Sequence, residues 1–258
     1  MEATQSGTAA HGCTATIPLP APSRTAGCVR VPLPWTLSTL VAHGVGKVHS
    51  RSVSSSPHIT ALLFDLGGVL INVSFDEAFR SWSDYSPLSP AEMRARFRMD
   101  RAYKMHERGQ ISAHIYFDHL RRCLRIHADD DAIASGWNAI YLGTLDKAVE
   151  CLMEVKDRLP CYAFTNSNPV HQAAWMALYP GVVRAFRAVF VSSDIGTRKP
   201  ERSAFHSVCR RMDVVPSQVL FFDDSQENVR GARAAGLNAV QVRAETDLRD
   251  SLRRFGAL

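Results

Sequence analysis

The reading of this chain turns on ALLFDLGGVL, residues 61–70. Consecutive apolar residues run into one carboxylate, Asp65, which a glycine turn at Gly67 and Gly68 follows. A half-solvated strand alternates apolar and polar side chains, whereas near-continuous hydrophobicity suits a parallel strand buried on both faces. The run reaches back to Ile59. Comparable runs follow at 161–167 (CYAFTNS), 188–194 (AVFVSSD), 219–224 (VLFFDD) and 238–242 (NAVQV). Helical patterns lie between them: LDKAVECLMEVKDRL, ERSAFHSVCRRM, SQENVRGARAAG and TDLRDSLRRF. Strands alternating with helices predict right-handed crossovers and an open α/β parallel sheet.

One segment interrupts the rhythm. Residues 67–160 separate the first strand run from the second, and a connection of that length needs structure of its own. It reads as helices. Ser74 with Glu77 has the spacing of a capping box, after which Phe75, Ala78, Phe79 and Trp82 share a face. Ser89, Pro90 and Glu92 repeat the start signal before AEMRARFRMDRAYKMHERG, which Gly109 can end. Ser112 opens HIYFDHLRRCL, and DDDAIASGWNAIYL follows. Residues 75–145 are therefore expected to form a helical cap inserted after strand one, with the α/β core in 59–74 and 146–258. Arg94, Arg96, Arg98 and Arg101 read as a solvated helix face rather than a substrate funnel.

The chain has 258 residues, 46% apolar and 21% charged, with a formal net charge of +5 and a pI near 9.0. Most of that positive charge lies in residues 1–58, where Arg24, Arg30, Lys47 and Arg51 face only Glu2. The rest is nearly neutral, which argues against nucleic-acid binding. Residues 1–58 are rich in Ser, Thr, Ala, Pro and Gly without a sustained period, so they are expected to be disordered. Their most apolar part, VPLPWTLSTLVAHGVGKV, is broken too often for a membrane span. The same composition suits an organelle transit peptide or an extension from a misassigned start, and both readings stay open beside a cytoplasmic body. Six scattered cysteines show no C-x-x-C pair and no zinc spacing; buried thiols in a reducing compartment are the expectation. Oligomeric state is left open.

In open α/β sheets, ligands bind beyond the carboxyl ends of the strands. Each informative run ends there in polar residues: Asp65 on the first, Thr165 and Asn166 on the second, Lys199 within GTRKPE after the third, and Asp223 with Asp224 on the fourth. Singly, each has a structural explanation as a turn, an Asx-rich loop, a helix entry or an N-cap. Four in order at four strand ends point to a site.

With FDLGGVL, FTNSN, RKPE and FFDDSQEN in that order, residues 59–245 resemble the haloacid dehalogenase superfamily of phosphohydrolases. Together with HERGQIS in the cap stretch, these motifs look like its bacterial α-D-glucose 1-phosphate phosphatase subgroup. The resemblance implies a Rossmann-like core with a cap, and a Mg²⁺-dependent phosphatase of small phosphorylated metabolites that works through an aspartyl phosphate. In that reading Asp65 is the nucleophile. Thr165 and Asn166 bind phosphoryl oxygens, Lys199 supplies compensating charge, and Mg²⁺ or a similar cation is held by Asp65, the Gly67 carbonyl, Asp224 and Asp223. Two adjacent aspartates so placed call for cations nearby.

Gly67 departs from the general pattern of the superfamily, in which a second aspartate protonates the leaving oxygen and then activates water. That help is worth about 10²–10⁴ in rate. Three readings compete: a phosphatase whose leaving group departs easily or is protonated by water, substrate or a cap residue, another hydrolase such as a dehalogenase, and a non-catalytic phospholigand- or partner-binding protein. A halide site needs no FFDD metal pair, and intact Asp65 and Lys199 argue for catalysis. His106 and His171 read as packing or solvated, Trp137 and Tyr141 as cap core, and Glu107 as the cap residue to test first.

Overall fold

The computed structural model describes residues 58–258. The expectations for the amino-terminal extension therefore lie, apart from His58, outside the described residues. Five strands form one parallel sheet: β1 (Ala61–Phe64), β4 (Cys161–Thr165), β5 (Ala188–Val191), β6 (Val219–Asp223) and β7 (Asn238–Gln241). Their order is β5-β4-β1-β6-β7, with β1 at the centre. The α/β class predicted from the strand runs is the class observed, and all five predicted strands are present.

Burial explains why these runs do not alternate. Leu62 and Phe64 of β1 face a core built with Ala148, Leu152 and Val155 of α6 (Asp146–Val155) and Leu248 and Leu252 of α12 (Glu245–Arg254). Ala61 and Leu63 face the opposite core, with Phe205 and Val208 of α10 (Arg202–Met212) and Val229 and Ala232 of α11 (Gln226–Ala234). All four β1 residues are fully buried, so both faces of the central strand must be apolar. Three further helices flank β4 and β5: α7 (Pro169–Leu178), α8 (Pro180–Val183) and α9 (Ser192–Ile195).

After β1 the chain enters β2 (Ile71–Val73), then α1 (Phe75–Ser83), α2 (Pro90–Arg96), α3 (Arg101–Glu107), α4 (Ala113–Leu124) and α5 (Asp130–Asn138), and returns through β3 (Tyr141–Thr144). β2 and β3 pair antiparallel, so the departing and returning segments meet as a two-stranded ribbon at the base of the helices. Neither strand was expected. The long helix expected over residues 91–109 is two, because the chain turns at Phe97 and Asp100 re-caps α3 by accepting from Tyr103 N–H at 3.0 Å. Packing overrides helix continuation here: the Phe97 ring meets Phe75 and Phe79, each at 5.5 Å between centroids. The capping box at Ser89 forms as predicted, whereas the Ser74 side chain makes no cap hydrogen bond.

The helices share an aromatic core in which Trp82 stacks on Trp137 at 5.6 Å. A Cβ on Gly136 would lie 2.2 Å from Trp82 Nε1, so glycine is required where α5 crosses α1. Arg94, Arg96, Arg98 and Arg101 are exposed, as predicted. Cys151, Cys161 and Cys209 are buried free thiols. Among the described residues, no helix is long and apolar enough to cross a membrane.

Candidate active site

Because β4, β1 and β6 are parallel neighbours, their carboxyl ends bring Thr165, Asp65 and Asp223 to one edge of the sheet. Asp65 is only 9% exposed. Its Oδ1 accepts from Leu66 N–H at 2.7 Å, and its Oδ2 lies 2.8 Å from Lys199 Nζ. Lys199 is completely buried and also donates to Asp223 Oδ2 at 2.7 Å. The rings of Phe164 and Phe221 each lie 5.4 Å from its ammonium, so the charge sits in a walled, low-dielectric position.

That burial sets the electrostatics. Desolvation pushes Asp65 up to about 8 without a cation present; Lys199 opposes the rise, and Asp223 adds to it. Burial alone would lower the Lys199 ammonium, but Asp223 and Asp65 outweigh it and hold Lys199 above its usual range. Asp224 rims the site with its residue exposed, and its carboxyl is raised by partial desolvation and then by the Asp223 charge.

Asp65, Asp223 and Asp224 each place a carboxylate oxygen within 4.8 Å of the others, the arrangement a hard divalent cation needs. Their availability differs. Asp223 Oδ1 accepts from Ser225 N–H at 2.9 Å and Asn228 Nδ2 at 2.9 Å, while Oδ2 accepts from Lys199 and, at 3.2 Å, from Asn228 again. A carboxylate offers about four lone-pair sites, so Asp223 is saturated by protein donors. Asp65 and Asp224 keep capacity. Gly68 has φ +74°, and a Cβ there would lie 2.4 Å from Asp224 Oδ2; glycine lets the turn after Asp65 approach the acidic pair.

Position 67 is different. A Cβ on Gly67 would meet Val73 methyls at 3.6 and 3.7 Å, ordinary contacts, and its φ is not left-handed. Neither space nor backbone conformation requires glycine there.

Thr165 is buried at the end of β4. Asn166 has a role that the sequence did not indicate. Its Nδ2 donates to the Lys199 carbonyl at 3.0 Å and its Oδ1 accepts from Lys199 N–H at 2.9 Å. The side chain thus braces the main chain of Lys199 at both ends, where the sequence suggested a phosphoryl ligand. His171 is a packing residue, with Nε2 3.1 Å from the Trp137 carbonyl and its ring stacked on Trp137 at 4.7 Å. His106 stacks on Tyr116 at 4.7 Å. Trp137 is fully buried, as the cap-core reading had it. Glu107 is buried too, and its Oε2 accepts from Arg198 Nε at 2.7 Å. A separate groove of about 530 Å³, lined by Arg230, Arg233, Arg243 and Arg254 among others, holds neither the Asp65–Lys199 pair nor the acidic cluster.

Comparison with known proteins gives one family. Residues 59–236 match the model of the haloacid dehalogenase-like hydrolases. D-ribitol-5-phosphate phosphatase of Bacteroides thetaiotaomicron is 20% identical over 200 residues, 75% of this chain and 97% of that protein. Phosphatase MT3486 of Mycobacterium tuberculosis is 27% identical over 206 residues, 76% of this chain and 93% of its own. Fructose-1-phosphate phosphatase YqaB of Escherichia coli is 34% identical over 86 residues, 33% of this chain and 45% of that one. Among solved structures, a magnesium complex of the HAD family enzyme bt-2542 from Bacteroides thetaiotaomicron superposes with a TM-score of 0.67 at 24% identity, covering 76% of this chain and 99% of its own. L-2-haloacid dehalogenase from Xanthobacter autotrophicus, with chloropropionic acid covalently bound, superposes at 0.57 with 19% identity, covering 76% and 83%. At these identities the structural matches establish the fold alone.

Proposed function

This chain belongs to the haloacid dehalogenase-like hydrolases, and from that membership we propose that it is a phosphatase of small sugar or polyol phosphates, with Asp65 as nucleophile. The observation that carries the reading is the Asp65–Lys199 pair at 2.8 Å, set at the sheet edge beside Asp223 and Asp224. Residues 75–145 serve as the cap, and 59–74 with 146–258 as the core.

An oxygen of Asp65 attacks phosphorus, the bond to the leaving oxygen breaks with its electron pair going to that oxygen, and water later hydrolyses the aspartyl phosphate. Lys199 faces the developing charge, held by Asp223 and by the Asn166 brace on its main chain. The Thr165 hydroxyl and main-chain N–H groups at 165–166 hold phosphoryl oxygens. The Asn166 contact is main-chain in this reading, because its side chain is engaged with Lys199. Asp65, Asp224 and the Gly67 carbonyl would hold Mg²⁺, and Asp223, saturated by protein donors, would support the site without needing to ligate it directly. Bound Mg²⁺ would neutralise phosphoryl oxygens and offset the cost of two neighbouring carboxylates.

The relatives named for ribitol 5-phosphate and fructose 1-phosphate support a polyhydroxylated substrate. Within that class, glucose 1-phosphate suits a site with glycine at 67, because an anomeric leaving oxygen tolerates negative charge. The dehalogenase reading explains no acidic pair. A panel of phosphate monoesters assayed with Mg²⁺ and with excess chelator tests the proposal. Mg²⁺-dependent release of phosphate is expected, and no release from any ester would overturn it.

A further inference from the structure

Glu107 and Arg108 end α3 of the helical insertion, and both reach the core loop that carries Lys199. Glu107 pairs with Arg198, and both side chains are largely shut off from solvent, at 5% and 13% exposure. Arg108 pairs with Glu201, whose other carboxylate oxygen accepts from Thr197 Oγ1 at 3.0 Å. An acid and a base on the helix thus meet a base and an acid on the loop, one on either side of Lys199. The docking is close. Gly109 follows with φ +65°, and a Cβ there would lie 2.6 Å from the Ser193 carbonyl oxygen, so only glycine lets α3 end against the core. From the opposite side the Asn166 side chain holds the Lys199 main chain.

Neither pair is strong support for stability, one being buried and the other partly exposed. Their placement explains them better. We propose that Glu107 and Arg108 are positioning residues: by clamping Arg198 and Glu201 they fix the loop on which Lys199 stands, and through it the reaction rate. This inference rests on the proposed role of Lys199 at a phosphoryl group. Neither residue is assigned contact with the reacting atoms. Small displacements of a catalytic group are costly, about 10²-fold in rate for 1 Å. A glutamine at 107 keeps the shape, removes the charge and leaves Arg198 buried without its counter-ion.

The test uses the full chain with Mg²⁺ and compares wild type with Glu107→Gln, Arg108→Ala and the double variant Glu107→Gln/Arg198→Gln. Steady-state kinetics are measured on the best phosphate monoester, with hydrogen exchange of the peptide covering 193–201. In Glu107→Gln, kcat is expected to fall by about 10- to 100-fold while KM stays within about threefold. Exchange at Lys199 N–H should quicken, and the double variant should recover part of the loss because no charge is left unpaired. Arg108→Ala should show the same signature more weakly, and it decides the matter if Glu107→Gln does not fold. Faster exchange with unchanged kcat would make the clamp merely structural and overturn the proposal, as would a rise in KM alone. A wild type inactive on every ester refutes the phosphatase reading instead; the exchange data then decide by themselves whether the clamp fixes the loop.

Discussion

Lys199 Nζ lies 2.7 Å from Asp223 Oδ2, and both side chains are wholly closed to solvent. A buried cation is tolerated only while paired, and Asp223 is the partner with no exposure. Asp223→Ala is therefore expected to destabilise the fold by about 3–5 kcal/mol, which for a body of this size is a Tm loss of roughly 10 °C. Asp224→Ala, at the exposed rim, should leave Tm within a few degrees. Thermal melts of the two variants in chelator check the contrast; equal losses would show that the adjacent aspartates share one structural role.

Asp65→Asn should abolish turnover with the fold intact, because an amide is not an effective nucleophile. It should also change the pH dependence of stability. Burial raises Asp65 from 3.8 to about 8 without a cation, so between those values the folded chain holds a proton that the unfolded chain has lost. The stability this proton contributes is full below pH about 4 and lost as pH rises to about 8. In chelator, wild type should therefore lose stability relative to Asp65→Asn across that window and run parallel to it above. A difference independent of pH would refute the raised carboxyl.

Mg²⁺ should raise the Tm of wild type, by an amount equivalent to about 2.7 kcal/mol at a hundredfold excess over Kd. The increment should grow towards pH 8, where the cation no longer competes with the Asp65 proton. Asp224→Ala should lose that response and most of the activity. Gly68→Ala should resemble it, because the added methyl meets the Asp224 carboxylate in a left-handed backbone position. Titrations of Tm against Mg²⁺ at pH 6 and pH 8 test all three proteins, and a full response in Asp224→Ala would remove that residue from the metal site.

What was legible in the chain were contacts that a parallel sheet makes inevitable. Buried strands need continuous apolar runs, and their carboxyl ends fall on one edge, so Asp65, Thr165 and Asp223 could be placed together from spacing alone. The β2–β3 ribbon was not legible, because INV and YLGT are too short to show a period and Gly143 brings no side chain to the pattern. The Asn166 brace and the saturation of Asp223 depend on which donors point where, and no residue type announces that. Nor does spacing reveal Glu107 against Arg198, 91 positions apart, although Glu107 itself was the cap residue singled out for testing.

Gly67 is the place where the site departs from its superfamily's general pattern, and a Cβ there would meet Val73 only at ordinary distance, so the first side-chain atom gives the glycine no steric reason. The reason for it should then lie in the chemistry. With no carboxylic acid to protonate the leaving oxygen, a transition state leaves charge on the departing group, and substrates whose leaving oxygen bears that charge are favoured. The anomeric oxygen of glucose 1-phosphate, next to a ring oxygen that withdraws electrons, is more acidic than the primary alcohol of glucose 6-phosphate. Wild type is expected to show the higher kcat/KM on the 1-phosphate. Gly67→Asp should fold, keep its Mg²⁺ response and narrow the gap, with glucose 6-phosphate gaining about tenfold or more, the low end of what general acid help supplies. Both esters against both proteins, with bound metal quantified, decide it. Equal wild-type efficiency on the two esters sinks the leaving-group argument, whereas an unchanged ratio in a fully metallated Gly67→Asp assigns the preference to the cap.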